Sequence, residues 1–335
     1  MIPKINLRSH SRGSRRALGA VATVALAASV FVASPVLADD VVYDDIVAAL
    51  EAVPAEHGVL QDAASNKNSA VLPTSPDDGI VLTSSRGWTL KIELPFANIA
   101  AKGARVADGA VAYSNGNGST TVPTAKSDGS VQITTVIEDA SAPSSYEYGI
   151  GGESGTTMRL LDDGSVIIED PSSAYLGGVA APWAYDAEGT PVKTWYEVKG
   201  SSLVQIVAHN DQSYVYPIVA DPWLGINLFS WITVDSYYGQ PRVNLQPSVW
   251  GAVQWAAVGG LVVMNTAGWT EAWTWNSTVQ AALNKTSQRQ QFECHALGSP
   301  FAGTWNLEKF RVNRTVHWSY GVAIHHCNWT TSYRY

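Results

Sequence analysis

The chain has 335 residues, with 21 Lys and Arg against 29 Asp and Glu, a formal net charge of −8, and only two cysteines. Between Asp39 and Trp223 stand 25 acidic and 9 basic side chains, which excludes a nucleic-acid backbone as partner for that part, since phosphate binding needs a basic face. From Leu224 onward 4 acidic and 7 basic side chains leave a mildly basic second part without a clustered Lys/Arg run, and so uneven a split points to two domains.

The chain opens with the three parts of a cleavable signal peptide. Lys4, Arg8, Arg12, Arg15 and Arg16 form a basic start without an acidic residue. An Ala- and Val-rich stretch over 17–33 follows, and Ser34 and Pro35 lead to Val36-Leu37-Ala38 ahead of Asp39-Asp40. The apolar stretch is shorter than the ~20 residues a membrane span needs, so cleavage after Ala38 is expected, with no stable span afterwards. Ser14-Arg15-Arg16 matches a twin-arginine signal in part, so the export route stays open. The expected location is secreted and extracellular.

Residues 42–53 carry Val42, Ile46, Val47, Leu50 and Val53 at helical spacing, which predicts a short helix followed by a polar linker to about residue 78. From Gly79 the pattern becomes short strands cut by turns. The predicted strands cover 80–83, 89–94, 110–113, 131–137, 146–150, 158–161, 166–169, 195–199, 203–208 and 214–219. Ser127-Asp128-Gly129, Asp162-Asp163-Gly164 and Ala187-Glu188-Gly189 separate some of them, with glycine supplying the positive φ of a tight turn. Strands so spaced predict an antiparallel sandwich or barrel over 79–222.

After Pro222 the texture changes. Ten of the thirteen tryptophans lie from Trp223 onward, and four of the seven histidines from His295 onward. Strands are predicted over 230–234 and 243–245. The run over 250–264 is too short and too glycine-rich for a membrane span and reads as a buried element. A helix over 268–283 would place Trp269, Ala272, Trp273 and Leu283 on one face, and a second over 287–297 would be capped by Thr286 or Ser287. Alternation over 316–324 predicts a strand. In an exported chain a lone cysteine pair reads as a disulfide, here Cys294–Cys327, worth roughly 3–4 kcal/mol; a reactive thiol or a metal ligand is the alternative.

Two resemblances add to this reading. Ala181-Pro182-Trp183-Ala184-Tyr185-Asp186, Thr194-Trp195-Tyr196 and Tyr216-Pro217-Ile218-Val219-Ala220-Asp221-Pro222 resemble the β-rich N-terminal region of many secreted actinobacterial proteins. That likeness implies a carrier or propeptide-like module without known catalytic residues. Gln291-Phe292-Glu293-Cys294-His295, Trp305-Asn306-Leu307-Glu308 and Cys327-Asn328, with Gly268-Trp269-Thr270-Glu271, resemble domain of unknown function 2599, which ends secreted, mainly actinobacterial proteins. This chain departs from that family in Lys309-Phe310-Arg311-Val312, where an Arg-Pro step is usual, and in Cys327-Asn328-Trp329, where the family ends Cys-Asn-Pro. The family implies no activity.

The expected fold is therefore mainly β with α: a signal peptide over 1–38, a short helix and linker over 39–78, an antiparallel β-sandwich over 79–222, and a small disulfide-closed α+β domain over 223–335. The leading function is binding of a cell-wall or envelope polysaccharide through the Trp-rich C-terminal domain, with Trp269, Trp273, Trp305, Asn306 and Asn328 as candidate ligand contacts. The alternative is a secreted hydrolase or toxin-like effector in which a carboxylate, Glu308 first, orients His295 as proton shuttle. The structural alternative for the same residues is helix capping and satisfaction of buried groups around the disulfide. A third possibility is release of the N-terminal half by cleavage near 222–225. No metal site or cofactor is assigned: His295, His317, His325 and His326 lack short ligand spacing, and adjacent His325 and His326 would face opposite ways on a strand.

Overall fold

The computed structural model describes residues 39–64, 70–152, 155–210, 213–298, 303–315, 317 and 327–329. The expected signal peptide, the expected strand over 316–324 apart from His317, and His325 and His326 lie outside them. Helix α1 (Asp39–Glu51) comes first, on the stretch whose spacing predicts a helix. Fifteen strands follow: β1 (Ile80–Thr83), β2 (Thr89–Glu93), β3 (Ala104–Ala107), β4 (Ala110–Ser114), β5 (Ser119–Ala125), β6 (Val131–Ile137), β7 (Ser145–Gly151), β8 (Thr157–Leu160), β9 (Val166–Glu169), β10 (Tyr175–Val179), β11 (Ala184–Tyr185), β12 (Thr194–Lys199), β13 (Ser202–Val207), β14 (Ile218–Ala220) and β15 (Trp223–Gly225). After them come β16 (Phe229–Tyr237), β17 (Gln240–Pro247), α2 (Val249–Ala256), α3 (Gly260–Thr274), α4 (Ser277–Ala282), α5 (Thr286–Gly298) and β18 (Trp305–Glu308).

The strands up to β15 form two antiparallel sheets, one ordered β1-β2-β7-β13-β12 and a larger one ordered β3-β4-β5-β6-β15-β10-β9-β8, with β14 also pairing β6. Alternation explains how they meet. On β2 Leu90 and Ile92 point inward between exposed neighbours, and on β7 so do Tyr146, Tyr148 and Ile150. These share one core with Val131, Ile133 and Ile137 of β6 and with Val166 and Ile168 of β9, which makes a sandwich. Strands β5 and β6 are buried on both faces, because Ile46, Ala49 and Leu50 of α1 cover Ala112, Val122, Val136 and Val219 on the outside. The expected turn glycines Gly129, Gly164 and Gly189 all have positive φ.

Three expectations need correction. The strand expected over 214–219 is only Ile218–Ala220. The single helix expected over 268–283 is two, because the Asn276 side chain accepts the Val279 N–H at 2.9 Å and starts α4 afresh. The run over 250–264 is also divided between α2 and α3; Trp250, Val263 and Met264 are buried, but Val258, Leu261 and Val262 are exposed.

The helices and the three-stranded sheet β16-β17-β18 enclose a second core around Phe229, Leu245, Phe292 and Trp305. Residues 223–225, where the second part was expected to begin, pair as β15 within the sandwich sheet. Two Asp-Gly-Ser turns of the sandwich then reach across. Asp128 Oδ1 accepts Ser130 N–H within its own turn while Oδ2 accepts Trp250 N–H at 2.6 Å, in the first turn of α2. Asp163 does likewise, holding Ser165 with Oδ1 and accepting Val258 N–H at 2.7 Å, just before α3, with Oδ2.

Glu271 of α3 ties the same junction from the other side. Its carboxyl accepts the N–H of Leu228 at 2.9 Å and of Phe229 at 3.1 Å, where the chain leaves the sandwich. Burial pushes its pKa up to about 7 from 4.5, against those two N–H bonds and Arg86. The folded protein therefore keeps a proton between about pH 4.5 and 7 that the unfolded chain releases, so this group's contribution to stability falls as pH rises across that window. Urea unfolding of the native protein should show about 2 kcal/mol more gain on acidification from pH 7 to 5 than that of Glu271→Gln. Parallel pH profiles for the two would refute the assignment.

Candidate functional site

Helix α5 faces β18 with Gln288, Gln291, Phe292 and His295, the i, i+3, i+4, i+7 stripe of one helical surface. Among the described residues strand β18 pairs only β17, so its other edge needs partners. Side-chain amides supply them. Gln291 Oε1 accepts Glu308 N–H at 2.8 Å while its Nε2 donates to Glu308 C=O at 3.0 Å, the pattern a neighbouring strand would make. Gln288 Nε2 donates to Leu307 C=O, and Asn328 Nδ2 to Asn306 C=O at 3.1 Å. The Cys294–Cys327 disulfide, with Cα atoms 5.4 Å apart, brings Asn328 to this edge.

The residues singled out in the sequence thus gather around β18. His295 is 3 % exposed; its ring stacks on Trp305 at 5.4 Å with planes 10° apart, and its Nε2 lies 3.3 Å from Asn328 Oδ1. The buried Glu308 carboxylate pairs with Arg311, which also donates to Trp329 C=O. Trp250, Trp305 and Trp329 are enclosed. Trp269 and Trp273 are half-buried, 6.2 Å apart, and Arg289 lies 5.0 Å over Trp269. Among the described residues, no three His, Cys, Asp or Glu side chains gather as a metal site, and no helix is long and apolar enough to cross a membrane.

The outer face of the three-stranded sheet has a different character. Ile232, Val243, Leu245, Trp305 and Leu307 point into the core, so the alternate residues point out. Registered across the strands, these are Trp231 with Gln246, Thr233 with Asn244 and Asn306, and Asp235 with Arg242 and Glu308. Arg242 grips Asp235 with two bonds, at 3.0 and 2.5 Å. That pairing, together with a bond from Asn244, holds the Asp235 carboxyl below its ordinary range against a desolvation that raises it.

At the hairpin tip Tyr237, Tyr238 and Phe310 form an aromatic group, with ring centroids 4.7, 5.7 and 5.0 Å apart in the three pairs. Arg242 stacks on Tyr237 at 4.7 Å and Arg311 on Phe310 at 4.9 Å. Tyr238 is 75 % exposed and Trp231 41 %. Sequence reading passed over this group, although Tyr237-Tyr238-Gly239 between two strands was the signal that could have found it: the last two residues are the loop of a two-residue hairpin. Compared with known proteins, the chain matches no family model, no curated protein and no solved structure.

Proposed function

We propose that this chain is an exported protein that binds a cell-wall or envelope polysaccharide, and that it does so through the outer face of its three-stranded sheet. One observation carries the reading: Tyr237, Tyr238 and Phe310 stand together at the tip, beside a face of Asn, Gln, Thr, Asp and Arg side chains. Sugar rings stack their C–H faces on aromatic rings and satisfy their hydroxyls with such polar groups. The disulfide suits an oxidising compartment, in keeping with the proposed export. Binding is preferred to hydrolysis because His295 is enclosed against Trp305 and the Glu308 carboxylate is engaged by Arg311.

The test is retention of the purified chain on insoluble bacterial cell wall. The native protein should sediment with the wall, and Tyr238→Ala combined with Phe310→Ala should reduce retention at least tenfold, whereas Trp195→Ala on the sandwich should not. Undiminished retention of the double variant would move the binding surface elsewhere.

A further inference from the structure

We infer that the ligand of this face is an uncharged glycan rather than a polyanion, and that Tyr238 determines its recognition; this rests on the polysaccharide reading above. The first ground is charge. Arg242 is committed to Asp235 and to the Tyr237 ring, and Arg311 to Glu308, to Trp329 C=O and to the Phe310 ring. A phosphate or uronate is recognised by the two-pronged fork of a guanidinium. Here both forks are spent within the protein, and each positive charge has a carboxylate beside it. Lys309 adds one cation in the turn next to Phe310.

The second ground is the make-up of the centre of the face. Thr233, Asn244 and Asn306 register across the three strands there, neutral side chains that offer hydroxyl and amide groups and no cation, which suits a sugar's hydroxyls and N-acetyl groups.

The third is the cost accepted at the tip. Tyr238 and Gly239 have φ of 51° and 69°, the left-handed pair of a type I′ turn, in which asparagine is the favoured first residue. A tyrosine there is strained, and three-quarters of its surface faces solvent. Its ring packs on Tyr237 and Phe310 at the same tip, and its exposure is that of a stacking platform. Tyr238→Asn separates the two roles, since it relieves the turn while deleting the ring.

Equilibrium titrations of the full chain should use two soluble probes of matched length, N-acetylglucosamine oligomers and galacturonate oligomers, at 50 and 500 mM NaCl. The expected result is binding of the uncharged oligomer with affinities within twofold at the two salts. Tyr238→Asn should weaken that binding tenfold or more while raising the melting temperature. Preference for the galacturonate, with affinity falling steeply in salt, would overturn the uncharged class and leave the polysaccharide reading standing. A Tyr238→Asn variant that binds the uncharged oligomer as well as the native protein would overturn the role of Tyr238. Absence of binding to both probes, in a chain that also fails to sediment with cell wall, would overturn the reading itself.

Discussion

Trp250→Ala should lower the unfolding free energy by about 3–5 kcal/mol, the largest effect expected from a single side chain in this protein. The indole is 1 % exposed and lies where α2 meets the sandwich. A Cβ on Gly225 would come within 2.2 Å of it, and one on Gly178 within 3.3 Å, so β15 and β10 are bare of side chains where the ring sits. Its Nε1 donates to Tyr175 Oη at 3.0 Å, and Tyr175 in turn donates to Gln254 Oε1 at 3.3 Å. Truncation leaves a cavity and strands the Tyr175–Gln254 pair without its donor. Gly225→Val should cost as much by the opposite route, because the new side chain collides with the ring. Urea denaturation followed by tryptophan fluorescence measures both; a loss under 1 kcal/mol for either would show that the seam is loosely packed.

The second large effect concerns the disulfide. Cys294 and Cys327 are 33 residues apart, and freeing a loop of that length costs about 4 kcal/mol on the chain-entropy account. A Cys294→Ser, Cys327→Ser double variant should therefore unfold at distinctly lower denaturant than the native protein, and the native protein under reductant should match it. The local consequence is more specific. Asn328 would leave Asn306 C=O and His295, so amide hydrogen exchange should quicken in β18 and the last turn of α5 while the sandwich strands keep their protection. Uniform quickening over the whole chain would indicate that the bridge stabilises the fold without holding this edge.

How much of this was legible beforehand varies with the kind of signal. Strands β2 and β7 could be read because inward and outward residues alternate, and β6 and β13 because they are short runs rich in β-branched residues between recognisable turns. Strand β5 was missed because its Thr-rich sequence contains Pro123, which argues against a central strand. The structure accommodates it: the β4–β5 ladder pairs Ala110 with Thr124 and Tyr113 with Thr121 but skips the positions between, where proline has no N–H to give. Strand β10 was missed because Gly177 and Gly178 read as a loop, whereas their bareness makes room for neighbours across the seam.

The site divides in the same way. The string around Cys294 and Cys327 was visible because a lone cysteine pair forces its flanks together. Its main-chain partners were not, since a glutamine imitating a strand edge leaves no periodic trace. The tryptophans invited a surface reading by their number alone. Trp305, expected as a ligand contact, is instead enclosed with Trp329, and Trp250 is buried as its run was read to be, because a two-core protein has a seam as well as interiors to fill. The most exposed ring among the described residues, Tyr238, sits where a strand simply ends.

Asp128 and Asp163 each anchor a turn with one oxygen and a helix start with the other, so the two halves are riveted at points well separated along the chain. A pull exerted on the hairpin tip by a ligand fixed to a solid surface would not run through the single backbone thread at 226–228 alone. It would be shared by both carboxylates, by the wedged Trp250 and by the Glu271 bonds to Leu228 and Phe229.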